Sequence, residues 1–172
     1  GAATPYLVRH GAGYSIFEHH SHGIRQVMTL FAAPDSPVKI IHLRLENLSS
    51  RTRRITATYY AEWTLGSSRS QTQQYITPEY QQAAHALFAR NPYNIDFGRR
   101  VAFLATHKEP FGITTDRAEF LGRMVDYRSP AALQRVGLSG TATAGMDPCA
   151  AMQIHIDLYP NESVEEFFLL GQ

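Results

Sequence analysis

The sequence predicts an antiparallel β-sandwich, and three observations carry that prediction. Apolar and polar residues alternate over long runs, turn-forming residues interrupt those runs at short intervals, and only one stretch has a helical tendency. In residues 41–46, Ile-His-Leu-Arg-Leu-Glu, the alternation is strict. Ile55, Ala57, Tyr59, Ala61, Trp63 and Leu65 fall on one face of a longer strand, with Thr56, Thr58, Tyr60, Glu62 and Thr64 on the other. Met152, Ile154, Ile156 and Leu158 alternate with Gln153, His155 and Asp157. Residues 14–20 and 24–32 read as a hairpin turning at Ser21-His22-Gly23. Residues 101–106 form another strand, and residues 164–170, rich in Phe and Leu, a last one closed by Gly171. Pro, Asn, Asp and Ser mark the connections at residues 33–37, 47–50, 91–94, 147–148 and 159–161. Residues 79–89, rich in Ala and Gln, read either as a helix or as a strand with a polar loop.

A chain of 172 residues suits one domain, here residues 1–172, and 44% hydrophobic content with nine Phe, nine Tyr and one Trp excludes a disordered chain. Lys and Arg total 16 against 15 Asp and Glu, a net charge of +1 that gives no electrostatic basis for nucleic-acid binding. Arg51, Arg53 and Arg54 form the one dense basic cluster and read as a solvated loop. The single Cys149 excludes an intrachain disulfide and a Cys-rich metal site, which fits a cytoplasmic setting. No apolar run reaches the roughly 18–20 residues of a membrane span. The start, Gly-Ala-Ala-Thr-Pro, has neither an initiator Met nor the pattern of a signal peptide, so a piece of a longer multidomain protein is expected.

The chemistry-bearing residues point away from catalysis. His19, His20 and His22, with His10 nearby, have no supporting carboxylate or cysteine at ligand spacing, so no metal site is assigned. A nucleophile elbow and a phosphate-cradling Gly-rich loop are both missing, and Cys149 after Pro148 reads as structural. Glu18, Glu46 and Glu62 sit on polar strand faces, where a solvated or cross-strand-paired acid is the plain reading. No catalytic residue and no cofactor are therefore assigned. Trp63 shares its face with Ile55, Tyr59 and Leu65 and belongs to the core rather than to a sugar platform. Tyr60 on the opposite face, and Tyr93 and Tyr127 in loops, are better placed for a ligand.

Several stretches, taken in order, carry a family likeness. They are Phe17-Glu18-His19-His20-Ser21-His22-Gly23-Ile24, Leu43-Arg44-Leu45-Glu46-Asn47 and Tyr60-Ala61-Glu62-Trp63-Thr64-Leu65-Gly66. Ala89-Arg90-Asn91-Pro92-Tyr93-Asn94 and Asp116-Arg117-Ala118-Glu119-Phe120-Leu121-Gly122-Arg123 follow. Leu138-Ser139-Gly140, Asp147-Pro148-Cys149-Ala150 and Phe168-Leu169-Leu170-Gly171-Gln172 complete the set. From about Tyr6 onward the chain resembles the N-terminal β-sandwich of glycoside hydrolase family 94, formerly glycosyltransferase family 36. The likeness is closest to the phosphorylase-like region of cyclic β-1,2-glucan synthases. One departure is Pro160-Asn161-Glu162, where the family has a Pro-Gly-Glu turn.

The resemblance implies a galactose-mutarotase-like supersandwich that precedes an (α/α)6 barrel in the parent chain. The general acid and most of the phosphate site lie in that barrel, so the implied role is non-catalytic: contact with a β-glucan oligosaccharide, an active-site loop and subunit contacts in a homodimer. A parent at the inner membrane would carry this domain on the cytoplasmic side. The segment matching the family's active-site loop is residues 115–123, which puts Asp116, Arg117 and Arg123 beside Tyr93 and Tyr127 as substrate-binding candidates. Read as a surface loop turning at Gly122, it predicts that removing either arginine leaves stability unchanged. An independent carbohydrate-binding module and a mutarotase-like epimerase are the competing classes.

Overall fold

Alternation turns into pairing first in the N-terminal hairpin of the computed structural model, which describes residues 4–145 and 147–172. β2 (Tyr14–Ser21) and β3 (Ile24–Ala32) run antiparallel with Ser21 opposite Ile24, leaving His22 and Gly23 as a two-residue turn. Their φ angles of 52° and 78° are left-handed, the turn geometry whose twist matches that of the flanking strands. β1 (Leu7–Gly11), absent from the sequence reading, pairs with β2. β3 also pairs with β4 (Val38–Asn47), and β4 with β11 (Ser163–Gly171).

These strands form the first of two compact units, residues 1–56 with 155–171. The register puts Ile24, Ile41, Leu45 and Phe168 on one face, and all four are buried. The opposite face carries a cross-strand ion network, in which Arg25 reaches Glu18 at 2.7 Å and Glu46 at 3.6 Å and Arg9 reaches Glu18 at 3.2 Å. Glu18 and Glu46 thus lie on the polar face the alternation predicts, and of the two readings open to them they are cross-strand-paired. Asn47, fully buried, ends β4: its amide donates to the carbonyls of Arg51, Leu158 and Tyr159 at 2.8–3.1 Å, and Oδ1 accepts from Ser49. Arg53 and Arg54 are not in a loop. They open β5 (Arg53–Glu62), where Arg54 pairs with Asp157 at 2.9 Å.

The second unit is residues 57–154 with Gln172. β6 (Thr77–Gln81), β7 (Ala86–Arg90) and β8 (Ala102–Thr106) pair antiparallel in the order β8-β7-β6. A short 3-10 turn, Gln82–Ala84, joins β6 to β7, so residues 79–89 fold as a hairpin rather than a helix. β10 (Pro148–Leu158) lies between β5 and β9 (Gly112–Asp116). That central position explains why residues 148–154 are buried on both faces, whereas strict alternation predicted only one.

β5 ends at Glu62, three residues earlier than its pattern suggested, because Leu65 turns left-handed at φ 39°. Trp63 is still buried, with 5% exposure. Two short helices follow strand ends: α1 (Arg69–Thr72) and α2 (Arg117–Leu121). The core of this unit contains Leu87, Leu104, Met152 and Ile154, all with no exposed surface. Among the described residues no helix is long and apolar enough to cross a membrane.

Candidate functional site

Four charged residues of the second unit converge from the ends of its regular elements: Glu62 closing β5, Arg69 opening α1, Arg117 opening α2 and Asp147 preceding β10. Arg117 donates through Nε to Glu62 Oε1 at 2.8 Å and through Nη1 to Asp147 Oδ2 at 3.3 Å. Arg69 bridges the same two carboxylates from the other side, Nη1 to Glu62 Oε2 and Nη2 to Asp147 Oδ1. Tyr60 and Tyr127 each donate their hydroxyl to Glu62 Oε1 at 2.8 Å. Tyr127 in turn accepts from Arg117 Nη2 at 2.9 Å and lies with its ring 5.8 Å from the guanidinium carbon.

Local sequence explains the convergence. Asp116 caps α2 by accepting from the Ala118 amide at 2.8 Å, and Gly122 ends the helix at φ 85°. Phe120 and Leu121 are buried with Ala132 and Ala151, and Tyr60 stacks on Phe120 at 4.3 Å. The Arg117 amide also donates to the Asp147 carbonyl at 2.9 Å, where Asp116 pairs with Pro148. Glu119, on the same helix, accepts from Thr114 and from the Ser139 amide and hydroxyl, tying α2 to the chain around residue 139.

Burial pushes the Glu62 carboxyl upward, but hydrogen bonds from Arg117, Tyr60 and Tyr127 and the charge of Arg69 outweigh it and hold the group at about 2. Glu62 is therefore ionised at neutral pH and unsuited to act as a general acid. Burial followed by the bond to Glu62 raises the Tyr60 phenol, and the bonds to Tyr127 and Glu62 raise the Arg117 guanidinium. Desolvation, with Asp116 and Glu62 nearby, likewise raises buried Cys149, an unreactive thiol. The network leaves Tyr127 61% exposed, and Asp147 lines an open hollow with Gln73, Gln74 and Gly145.

Of the sequence candidates, Asp116, Arg117 and Tyr127 meet here. Residues 115–123 are not a loop as expected: the segment is a strand end plus one helical turn, and Asp116 is occupied as its cap. Arg123 lies just past the helix and is exposed. Tyr93 is elsewhere, 74% exposed, with its ring 4.8 Å from that of Tyr75. Tyr60 is not offered to a ligand, because Phe120 covers its ring. Sequence reasoning missed Arg69 entirely, and took Glu62 as a solvated or cross-strand-paired acid and Asp147 as a turn residue. Their common signal was a charge at the end of a strand or in the connection beside it, which alternation cannot rank. The histidines separate: His19 stacks on Tyr6 at 4.3 Å and meets Thr4 at 2.8 Å, while His10 meets Ser15 at 2.8 Å.

By comparison with known proteins, this β-sheet fold is a domain of the carbohydrate-active enzymes. The sequence model described as Glycosyl hydrolase 94, supersandwich domain, matches residues 1–172, and the chain belongs to that family. It is an all-β, antiparallel supersandwich domain. The chain is 34% identical over 167 residues to the cyclic beta-(1,2)-glucan synthase NdvB of Rhizobium meliloti (strain 1021), covering 96% of this chain and 6% of that protein. It is 26% identical over 174 residues to an N,N'-diacetylchitobiose phosphorylase of Vibrio proteolyticus, covering 96% of this chain and 21% of that enzyme. Among solved structures, a polysaccharide lyase shares the fold with a TM-score of 0.51 at 10% identity, over 91% of this chain and 21% of the lyase. The chain thus spans a small fraction of each relative.

Proposed function

We propose that this chain is a non-catalytic domain of a larger glucan-processing enzyme, a cyclic β-1,2-glucan synthase or a glycoside phosphorylase. In that role α2 and the turn after it lend Arg117, Arg123 and Tyr127 to a β-glucan site formed with a downstream (α/α)6 barrel, and contribute to subunit contacts. The observation that carries this reading is the clamp of Arg69 and Arg117 on Glu62 and Asp147. It fixes a polar, partly exposed edge whose acids are neutralised, where the Arg117 guanidinium keeps N–H groups to donate and the Tyr127 oxygen, its proton given to Glu62, can still accept. Such an edge suits orientation of sugar hydroxyls rather than proton transfer. The identity to a glucan synthase over nearly the whole chain supports the substrate class.

Tyr127→Phe and Arg123→Ala in the longer enzyme test it. Tyr127→Phe removes the hydroxyl that bridges Arg117 and Glu62 at the exposed rim, and Arg123→Ala an exposed guanidinium, while the four charges stay in place. Glucan-processing activity is expected to fall at least tenfold, about 1.4 kcal/mol of transition-state stabilisation, with the melting temperature of the isolated chain unchanged for Arg123→Ala and slightly lowered for Tyr127→Phe. Full activity in both variants would assign this edge to structure alone.

A further inference from the structure

The second unit also holds a pocket of about 250 Å³, lined among others by Leu65, Asn94, Phe97, Arg100, Ala102 and Gln172. Its loop is held in shape by its own amides. Asn91 Nδ2 donates to the Leu65 carbonyl at 2.9 Å, and its Oδ1 accepts from the Tyr93 amide at 3.2 Å. Asn94 Oδ1 accepts from the amides of Asp96 at 3.1 Å and Phe97 at 2.8 Å. Gly98 packs so tightly under this turn that a Cβ there would lie 2.5 Å from the Asn94 carbonyl oxygen. Asn94 therefore spends its oxygen on the loop and keeps its NH2 for the pocket, beside Gly66. The Arg100 guanidinium lies 5.1 Å from the Phe97 ring centroid. Among the described residues no carboxylate pairs with it.

We propose that this pocket binds one hexopyranose unit of an oligosaccharide. Its walls, Leu65, Phe97 and Ala102, offer apolar surface to the C–H faces of a sugar ring. Asn94, Arg100 and Gln172 offer directional hydrogen bonds to its rim, and an arginine fork spans two neighbouring hydroxyls. A volume of about 250 Å³ falls just below the roughly 300–1,000 Å³ of drug-sized sites, as one ring requires. A phosphate would call for more than a single cation already spread over an aromatic face. The exposed Tyr93, between the two lining asparagines and beside Tyr75, is available to stack on the next unit. The inference shares with the proposed function the expectation of a carbohydrate ligand but none of its residues.

Titration of the isotope-labelled chain with glucose, sophorose and inorganic phosphate, read by backbone and side-chain amide shifts, tests it. Sophorose is expected to move Gly66, Asn94 and Gly98 with a dissociation constant roughly in the millimolar range, since the site is small and partly open. Arg100→Lys, which keeps the charge and the aliphatic stem but loses the fork, should weaken binding at least tenfold, and Phe97→Ala likewise. Tyr127→Phe should leave this affinity unchanged. Absence of shifts at roughly 50 mM sophorose, far above a millimolar constant, would overturn the assignment. So would shifts centred on Glu62 and Arg117 instead, or phosphate binding the pocket more tightly than the sugars. A silent pocket together with lowered activity for Tyr127→Phe in the longer enzyme would overturn this inference while leaving the proposed function standing.

Discussion

Glu62 concentrates the energetics of the arginine cluster in one carboxylate. Its folded value of about 2 lies below the 4.5 of an unpaired glutamate, so the unfolded chain binds the proton more readily. The stabilisation is fully present above about pH 4.5 and is lost as pH falls towards 2. Thermal melts between these limits should show the native chain losing stability more steeply than Glu62→Gln, by about 1–2 kcal/mol after solvent screening of a partly exposed group. Parallel acid limbs for the two proteins would contradict the assignment. The two arginines of α2 and its end are expected to differ equally clearly. The Arg117 side chain is 17% exposed and satisfies Glu62, Asp147 and Tyr127, whereas Arg123 is on the surface. Urea unfolding should show Arg117→Ala costing about 2–3 kcal/mol, because it leaves partly buried carboxylates short of a partner, and Arg123→Ala within about 0.5 kcal/mol. This revises the expectation that either arginine could be removed without cost. In the sequence both are loop arginines six residues apart, and nothing local tells the clamped one from the free one.

At the scale of the element, α2 shows why a five-residue helix escapes a periodicity reading. One turn presents too few positions for a 3.6-residue pattern, and an isolated helix of this length does not persist in water. It exists here because Asp116 caps its start, Gly122 closes its end, and Phe120 and Leu121 are buried. Asp116→Ala should therefore cost about 1 kcal/mol, while Asp116→Asn, which still accepts from the Ala118 amide, should cost only a few tenths. Equal losses in chemical denaturation would show that the charge of Asp116, not its capping bond, is what matters. β10 makes the converse point. Its alternation from residue 154 onward was legible, but burial of residues 148–154 on both sides depends on its place between β5 and β9.

For the molecule as a whole, Glu62, the acid at the centre of the cluster, is held as a carboxylate, which leaves it without a transferable proton at neutral pH. Purified chain mixed with β-glucosides and inorganic phosphate is accordingly expected to release no glucose 1-phosphate. Release that disappears in Glu62→Gln would overturn the non-catalytic reading. The sequence by itself determined the all-β class, the hairpin at Ser21-His22-Gly23, the burial of Trp63 and the polar strand face of Glu18 and Glu46, because each follows from a two-residue period or from adjacent turn chemistry. The ordered family motifs added the supersandwich and the carbohydrate setting. Only the tertiary structure decided that Glu62, Arg69, Arg117 and Asp147 form one cluster, since their contacts join residues up to 78 positions apart in the chain. Only it separated Tyr93 from Tyr127. A strand pattern records which side of its own sheet a residue faces, whereas the partner that side chain meets is set by how distant strand ends are brought together.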